Sequence, residues 1–172
     1  MFYQTTVTLP ITRLQGLLSL LDKVESQAAE KGISEETILS GKLANDMFSF
    51  VKQIQIASDN AKGMASRMAR KEAPKYEDNE TTLKEVRARI EKTISYLETF
   101  TPEDFADAAT AEAKFPWFAG VKFVGEGYVL TYGIPNFMFH IVTAYDILRH
   151  LGFDIGKADY MGPGLALVPD AE

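Results

Sequence analysis

The sequence predicts an all-α protein, an antiparallel four-helix bundle, and three observations carry that prediction. Apolar residues recur at three-and-four spacing in four long stretches. Short connections rich in glycine, proline and capping residues separate those stretches. The helical period lapses only around residues 114–124, a run long enough for no more than a small β-hairpin or an aromatic loop. The chain of 172 residues holds 46% hydrophobic and 24% charged residues, which fits one globular domain spanning 1–172.

The first helix is expected over 9–31, because Leu14, Leu17, Leu18, Leu21 and Val24 share a face. It stops at Lys31-Gly32, where glycine can take the left-handed cap. Ser34 to Thr37 reads as a short capped turn leading to Ser40-Gly41. A second helix is expected over 43–70, with Met47, Phe50, Val51, Ile54, Ala57, Ala61, Met64 and Met68 as its apolar seam. After a connection containing Pro74, Leu83, Val86, Ile90, Ile94 and Leu97 define a third helix over 80–99. Lys84, Glu85, Arg87, Arg89, Glu91 and Lys92 are assigned to its solvent side. Thr101-Pro102-Glu103 can start about one further turn.

Lys114 to Phe118 and Val121 to Val124 flank Ala119-Gly120 as the hairpin or loop. The fourth helix then runs from Gly125 to Leu151. Pro135 lies inside it and must kink or bulge the helix near Gly133, since the ring clashes with the carbonyl four residues back. From about residue 157 the tail is expected to be irregular, tied down by Leu165, Leu167 and Val168.

Composition excludes several functions. The net charge of −6, with no large basic patch, disfavours nucleic acid as a partner. The chain has no cysteine, which removes thiol nucleophiles, thiolate metal sites and disulfides and fits a reducing compartment, so a cytoplasmic location is expected. The opening residues lack a secretory signal pattern. The apolar stretch 128–151 is broken by Pro135, Asn136, His140, Asp146, Arg149 and His150, so it reads as a core helix and no membrane partner is expected. No phosphate loop or nucleophile elbow is present, and paired carboxylates such as Glu35-Glu36 fall at helix caps.

The polar residues of the fourth helix mark the candidate site. Asn136, His140 and Thr143 share one stripe of an otherwise apolar helix. On the second helix, Asp46, Gln53 and Asn60 recur every seven residues along one edge of the seam. If the two stripes face each other, Gln53 or Asp46 completes a polar pocket with His140. Otherwise His140 is a core histidine bonded to Asn136 or a backbone carbonyl, and the second-helix flank is solvated. Gln55 and Asp59 are placed toward solvent, and His150 as a cation at the helix end. Phe115, Trp117, Phe118, Phe123 and Tyr128 either pack over the bundle end or line a ligand mouth.

Phe123-Val124-Gly125-Glu126-Gly127-Tyr128-Val129-Leu130, Ile134-Pro135-Asn136-Phe137-Met138-Phe139-His140 and Thr143 to His150 resemble a domain-of-unknown-function family in the DinB/YfiT-like superfamily. Asp46-Met47-Phe48, Gln53 to Ala57 and Leu21-Asp22-Lys23 extend the resemblance over nearly the whole chain. It implies a four-helix bundle, a homodimer, and a site where many members hold a divalent metal with three histidines for transferase or hydrolase chemistry. By position those histidines fall on Asn136, His140 and near Gln53, so only His140 is retained. Amide oxygens are weak ligands for zinc or nickel, which leaves His140 as the one metal candidate of a degenerate site and no cofactor expected.

Three functions follow as expectations. The first is binding of a small molecule by Gln53, Asn136, His140, Thr143 and Asp46. The second is a divalent-metal-dependent transferase or hydrolase of the DinB/YfiT type. The third is a homodimeric scaffold in which the polar stripe sets helix register.

Overall fold

Four long helices form where the apolar period predicts them, in a computed structural model that describes residues 1–164. A π-helical turn, Gln4–Thr8, leads into α1, Leu9–Lys31, and α2 is the short helix Glu35–Ser40. Then come α3, Phe50–Met68, and α4, Leu83–Leu97. Two 3₁₀ turns, Pro102–Phe105 and Ala108–Thr110, precede the two-residue strands β1, Glu112–Ala113, and β2, Phe123–Val124. The last helical run comprises α5, Gly125–Tyr128, a π-helical turn Val129–Gly133, and α6, Ile134–His150. A short α7, Lys157–Met161, follows. No helix among the described residues is long and apolar enough to cross a membrane.

The caps explain the boundaries. Gly32, at φ +65°, closes α1. Thr82 and Glu85 form a reciprocal capping box that starts α4. The second long helix begins at Phe50 rather than residue 43, with Ser49 as its cap. Residues 42–49 instead carry the chain from α2 across to α3. Asn45-Asp46 suits a turn there, the Met47 amide bonds the Ala44 carbonyl, and the Phe50 amide bonds that of Gly41.

Both π turns end two residues before a proline, Pro10 and Pro135. The amides of Leu9 and Ile134 bond five residues back, to Gln4 and Val129, so the local widening carries the carbonyl four residues back away from the pyrrolidine ring. The bulge expected near Gly133 is thus present, and the same device recurs at Pro10. A Cβ on Gly133 would sit 2.7 Å from Met64 Sδ, so this glycine lets the bulged segment approach α3.

In cross-section the helices follow the order α1, α4, α3, α6, with α3 packed most extensively on α6. Gln53 faces His140 and Arg67 faces Tyr128, so α3 and the last helix run antiparallel. Asp59 faces Arg89 and Ser66 faces Tyr96, so α3 and α4 run parallel. The 14 residues between them make this geometry reachable: extended, they span about 46 Å, against about 28 Å for α3 itself. They return along α3 as a strap, held by Lys62 to the Pro74 carbonyl at 2.6 Å, Lys52 to Asp78 at 2.6 Å and Gln55 to Glu80 at 2.8 Å.

Two polar residues assigned to solvent, Arg89 and Gln55, are corrected by this strap, while Asp59 stays exposed as expected. The Arg89 side chain is 2% exposed and pairs with Glu80 at 2.8 Å, Asp78 at 3.1 Å and Asp59 at 3.2 Å. Gln55 is buried, and Asp59 joins the network while its carboxylate also meets Lys62. A charge at helical spacing looked solvent-facing because the connection that covers it has no apolar signature of its own.

The core contains Leu14, Leu17, Leu20, Leu21, Phe50, Ile54, Met64, Ile90 and Phe137, all essentially inaccessible. A small hairpin forms with Glu112 opposite Val124 and Ala113 opposite Phe123, its first strand lying just before the expected 114–118, which fall in the connecting loop. Phe115 and Tyr128 are buried over the bundle, whereas Trp117 is 64% exposed. The tail departs from the irregular form expected at 157, because α7 packs on α1, and Arg13 donates to the Met161 carbonyl at 3.1 Å. Leu165, Leu167 and Val168 lie outside the described residues.

Candidate functional site

The α3–α6 seam brings the two predicted polar stripes together. Gln53, near the start of α3, and His140, midway along α6, are both buried and meet with Oε1 and Nδ1 2.7 Å apart. Gln53 Nε2 donates to the Phe48 carbonyl at 3.2 Å, which turns its Oε1 toward the imidazole. That network assigns the ring proton to Nδ1 and the lone pair of the neutral ring to Nε2. Nearer the start of α6, Asn136 donates to Asn60 Oδ1 at 2.9 Å. His140 therefore bonds neither Asn136 nor a backbone carbonyl; His140 and Asn136 each reach across to a different amide of α3.

The remaining predicted residues divide. Thr143 is buried one turn beyond His140. Asp46 is exposed in the turn before α3 and is not on the helix with Gln53, so the seven-residue relation between them does not place it in the seam. His150 is exposed at the end of α6.

Two aromatic residues at this site were not singled out by the sequence reading. Phe139 stands edge-on to His140, with ring centroids 5.2 Å apart, and is 56% exposed. Phe48, whose carbonyl holds Gln53, is 55% exposed. The available signal was Phe48 itself, a large apolar side chain within the otherwise turn-forming stretch 42–49. A buried imidazole thus lies against the exposed Phe139 ring, and the residue that orients its partner Gln53 carries a second exposed aromatic side chain, Phe48. Burial pushes the imidazole pKa below the ordinary 6.5, which favours the neutral ring.

The donor set does not fit a zinc or nickel centre. It offers one imidazole and amides already committed to each other or to the backbone, and the described residues contain no group of three or more His, Cys, Asp or Glu arranged to hold a metal.

The family model described as "Domain of unknown function (DUF1993)" matches residues 2–161. Among solved structures, a DinB family member protein from Shewanella denitrificans is 40% identical with a TM-score of 0.93, the match covering 100% of this chain and 96% of that one. No curated protein matches the chain.

Proposed function

The chain belongs to the DUF1993 family of DinB-like helical bundles, and from that premise we propose that it binds a small, partly apolar molecule at the α3–α6 seam. The observation that carries this reading is the buried His140, held through Nδ1 by Gln53, against exposed Phe139, with exposed Phe48 as the residue whose carbonyl holds Gln53. Nε2 accepts a proton or hydrogen bond from the ligand, while the two aromatic side chains supply apolar contact. Gln53 fixes the ring, and Asn136 with Asn60 provides a second polar pair that a ligand can exchange for its own bonds. Thr143 lies within the same stripe, and Asp46 serves at most at the outer edge of the site.

A fragment screen read by imidazole nitrogen shifts tests this reading. Hits should move Nε2 more than Nδ1 and should weaken in His140→Ala, with far-ultraviolet circular dichroism unchanged. Fragments that bind His140→Ala as well as the wild type would overturn it. Metal content of untagged protein, dialysed against a weak chelator, distinguishes the enzyme reading. About one equivalent, lost in both His140→Ala and Gln53→Ala, would replace the ligand-binding proposal with a metal-dependent transferase or hydrolase.

The homodimer has an observation of its own. Phe139 and the neighbouring Val142, 39% exposed, give α6 an apolar outer face that a second copy can cover. Sedimentation equilibrium of the wild type and Val142→Glu checks it, with dimer in the first and monomer in the second.

A further inference from the structure

At the other end of α3, about 21 Å along the helix from Gln53, Arg67 and Arg70 form a second polar centre. Arg70 is the one non-glycine residue with positive φ, +54°, among the described residues. It occupies the left-handed position after α3, where the Lys71 amide bonds the Ser66 carbonyl at 2.8 Å and closes the helix end. Glycine is the residue that takes this conformation without steric cost. The chain keeps arginine there, and the strained backbone brings its guanidinium to Thr110 Oγ1 at 2.7 Å.

Arg67 is held just as specifically. Its Cζ lies 4.7 Å from the centroid of the Phe115 ring, and its Nη1 donates to Tyr128 Oη at 3.2 Å. Neither guanidinium has a carboxylate within ion-pairing distance among the described residues, in a chain of net charge −6. The nearby charges are already matched: Lys71 pairs with Asp104 at 2.7 Å, and Glu112 pairs with Lys122 and Lys114. Arg67, Arg70, Lys71, Thr110 and Glu112 line one open hollow of about 540 Å³.

We propose that this hollow is a binding site for a phosphate group, clamped by Arg67 and Arg70 with the Thr110 hydroxyl beside them. Guanidinium N–H groups match phosphate oxygens in pairs, and two unpaired guanidiniums balance a dianion rather than a monoanionic carboxylate. Arg67 is pre-oriented by its aromatic bed, and Arg70 by the backbone it strains, so little side-chain freedom remains to be lost on binding. Glu112, on the wall of the hollow, disfavours larger anions that would reach it. The site is independent of His140 and of the ligand proposed there.

The test is titration of the full-length protein at constant ionic strength with inorganic phosphate, phenyl phosphate and acetate, followed by arginine Nε shifts. Phosphate or phenyl phosphate should give a saturable shift at Arg67 and Arg70, and acetate should not. Saturation by both phosphates identifies the bare group as sufficient, and saturation by phenyl phosphate alone identifies an ester. Arg70→Gly removes the guanidinium and relieves the backbone, so it should fold with an unchanged or higher melting temperature and bind at least about tenfold more weakly. The proposal is overturned if no phosphate saturates, if acetate competes equally, or if folded Arg70→Gly binds as tightly as the wild type.

Discussion

Replacing Arg89 with methionine should release the strap between α3 and α4. The guanidinium is almost wholly enclosed and holds Glu80, Asp78 and Asp59, with a further bond from Nη1 to the Glu77 carbonyl at 3.0 Å. Removing one partner of a buried ion pair costs about 3–5 kcal/mol, because the other charge stays behind uncompensated. The structure places the cost near the lower end. Asp59 keeps Lys62 at 2.9 Å and Asp78 keeps Lys52, which leaves only Glu80, 9% exposed, with a neutral partner in Gln55. We therefore expect a loss of about 3 kcal/mol, a large fraction of the roughly 5–15 kcal/mol available to a domain.

Urea denaturation measures that loss, and adding Glu80→Gln should recover part of it, a coupling that a double-mutant cycle isolates. Limited trypsin digestion gives an independent view, since Lys71 and Lys75 lie in the strap and should be cut faster in Arg89→Met while the helices stay intact. A loss under about 1 kcal/mol, the scale of a surface ion pair, with no coupling to Glu80, would refute the view that Arg89 anchors the strap.

Gln53→Leu leaves the buried Nδ1–H of His140 without its acceptor and should cost about 1–3 kcal/mol in chemical denaturation; a neutral result would mean that the imidazole is not held by this bond. His140 also sets a pH dependence. Its pKa lies below 6.5, so the unfolded chain takes up a proton that the folded protein disfavours. Its stabilising contribution is complete above about pH 6.5 and shrinks as pH falls toward the depressed folded value, at up to about 1.4 kcal/mol per unit. Denaturation of wild type and His140→Gln across this range should show a shallower acid limb in the variant. Gly133→Ala, which sets a methyl group 2.7 Å from Met64 Sδ, should cost about 1–3 kcal/mol by thermal denaturation, and a neutral outcome would show that α3 yields at that contact.

The sequence by itself determined the four helices, because apolar period, caps and proline are local statements about a helix and its one buried face. Leu14 to Val24, Leu83 to Leu97 and the bulge before Pro135 were all legible in this way. The two polar stripes were legible as candidates that could face each other, since buried polar residues on an apolar helix require partners, but the solvated alternative stood beside that reading. Tertiary structure decided what no periodicity encodes. Arg89 and Gln55 are buried by a connection distant in sequence, and a charged side chain looks the same in the sequence whether water or a strap covers it. Asp46 carried the right spacing but lies before the helix starts, because crossing from α2 to α3 consumes residues 42–49. The partner choices within the seam, His140 with Gln53 and Asn136 with Asn60, depend on how the two helices cross, which is set by packing across the whole bundle.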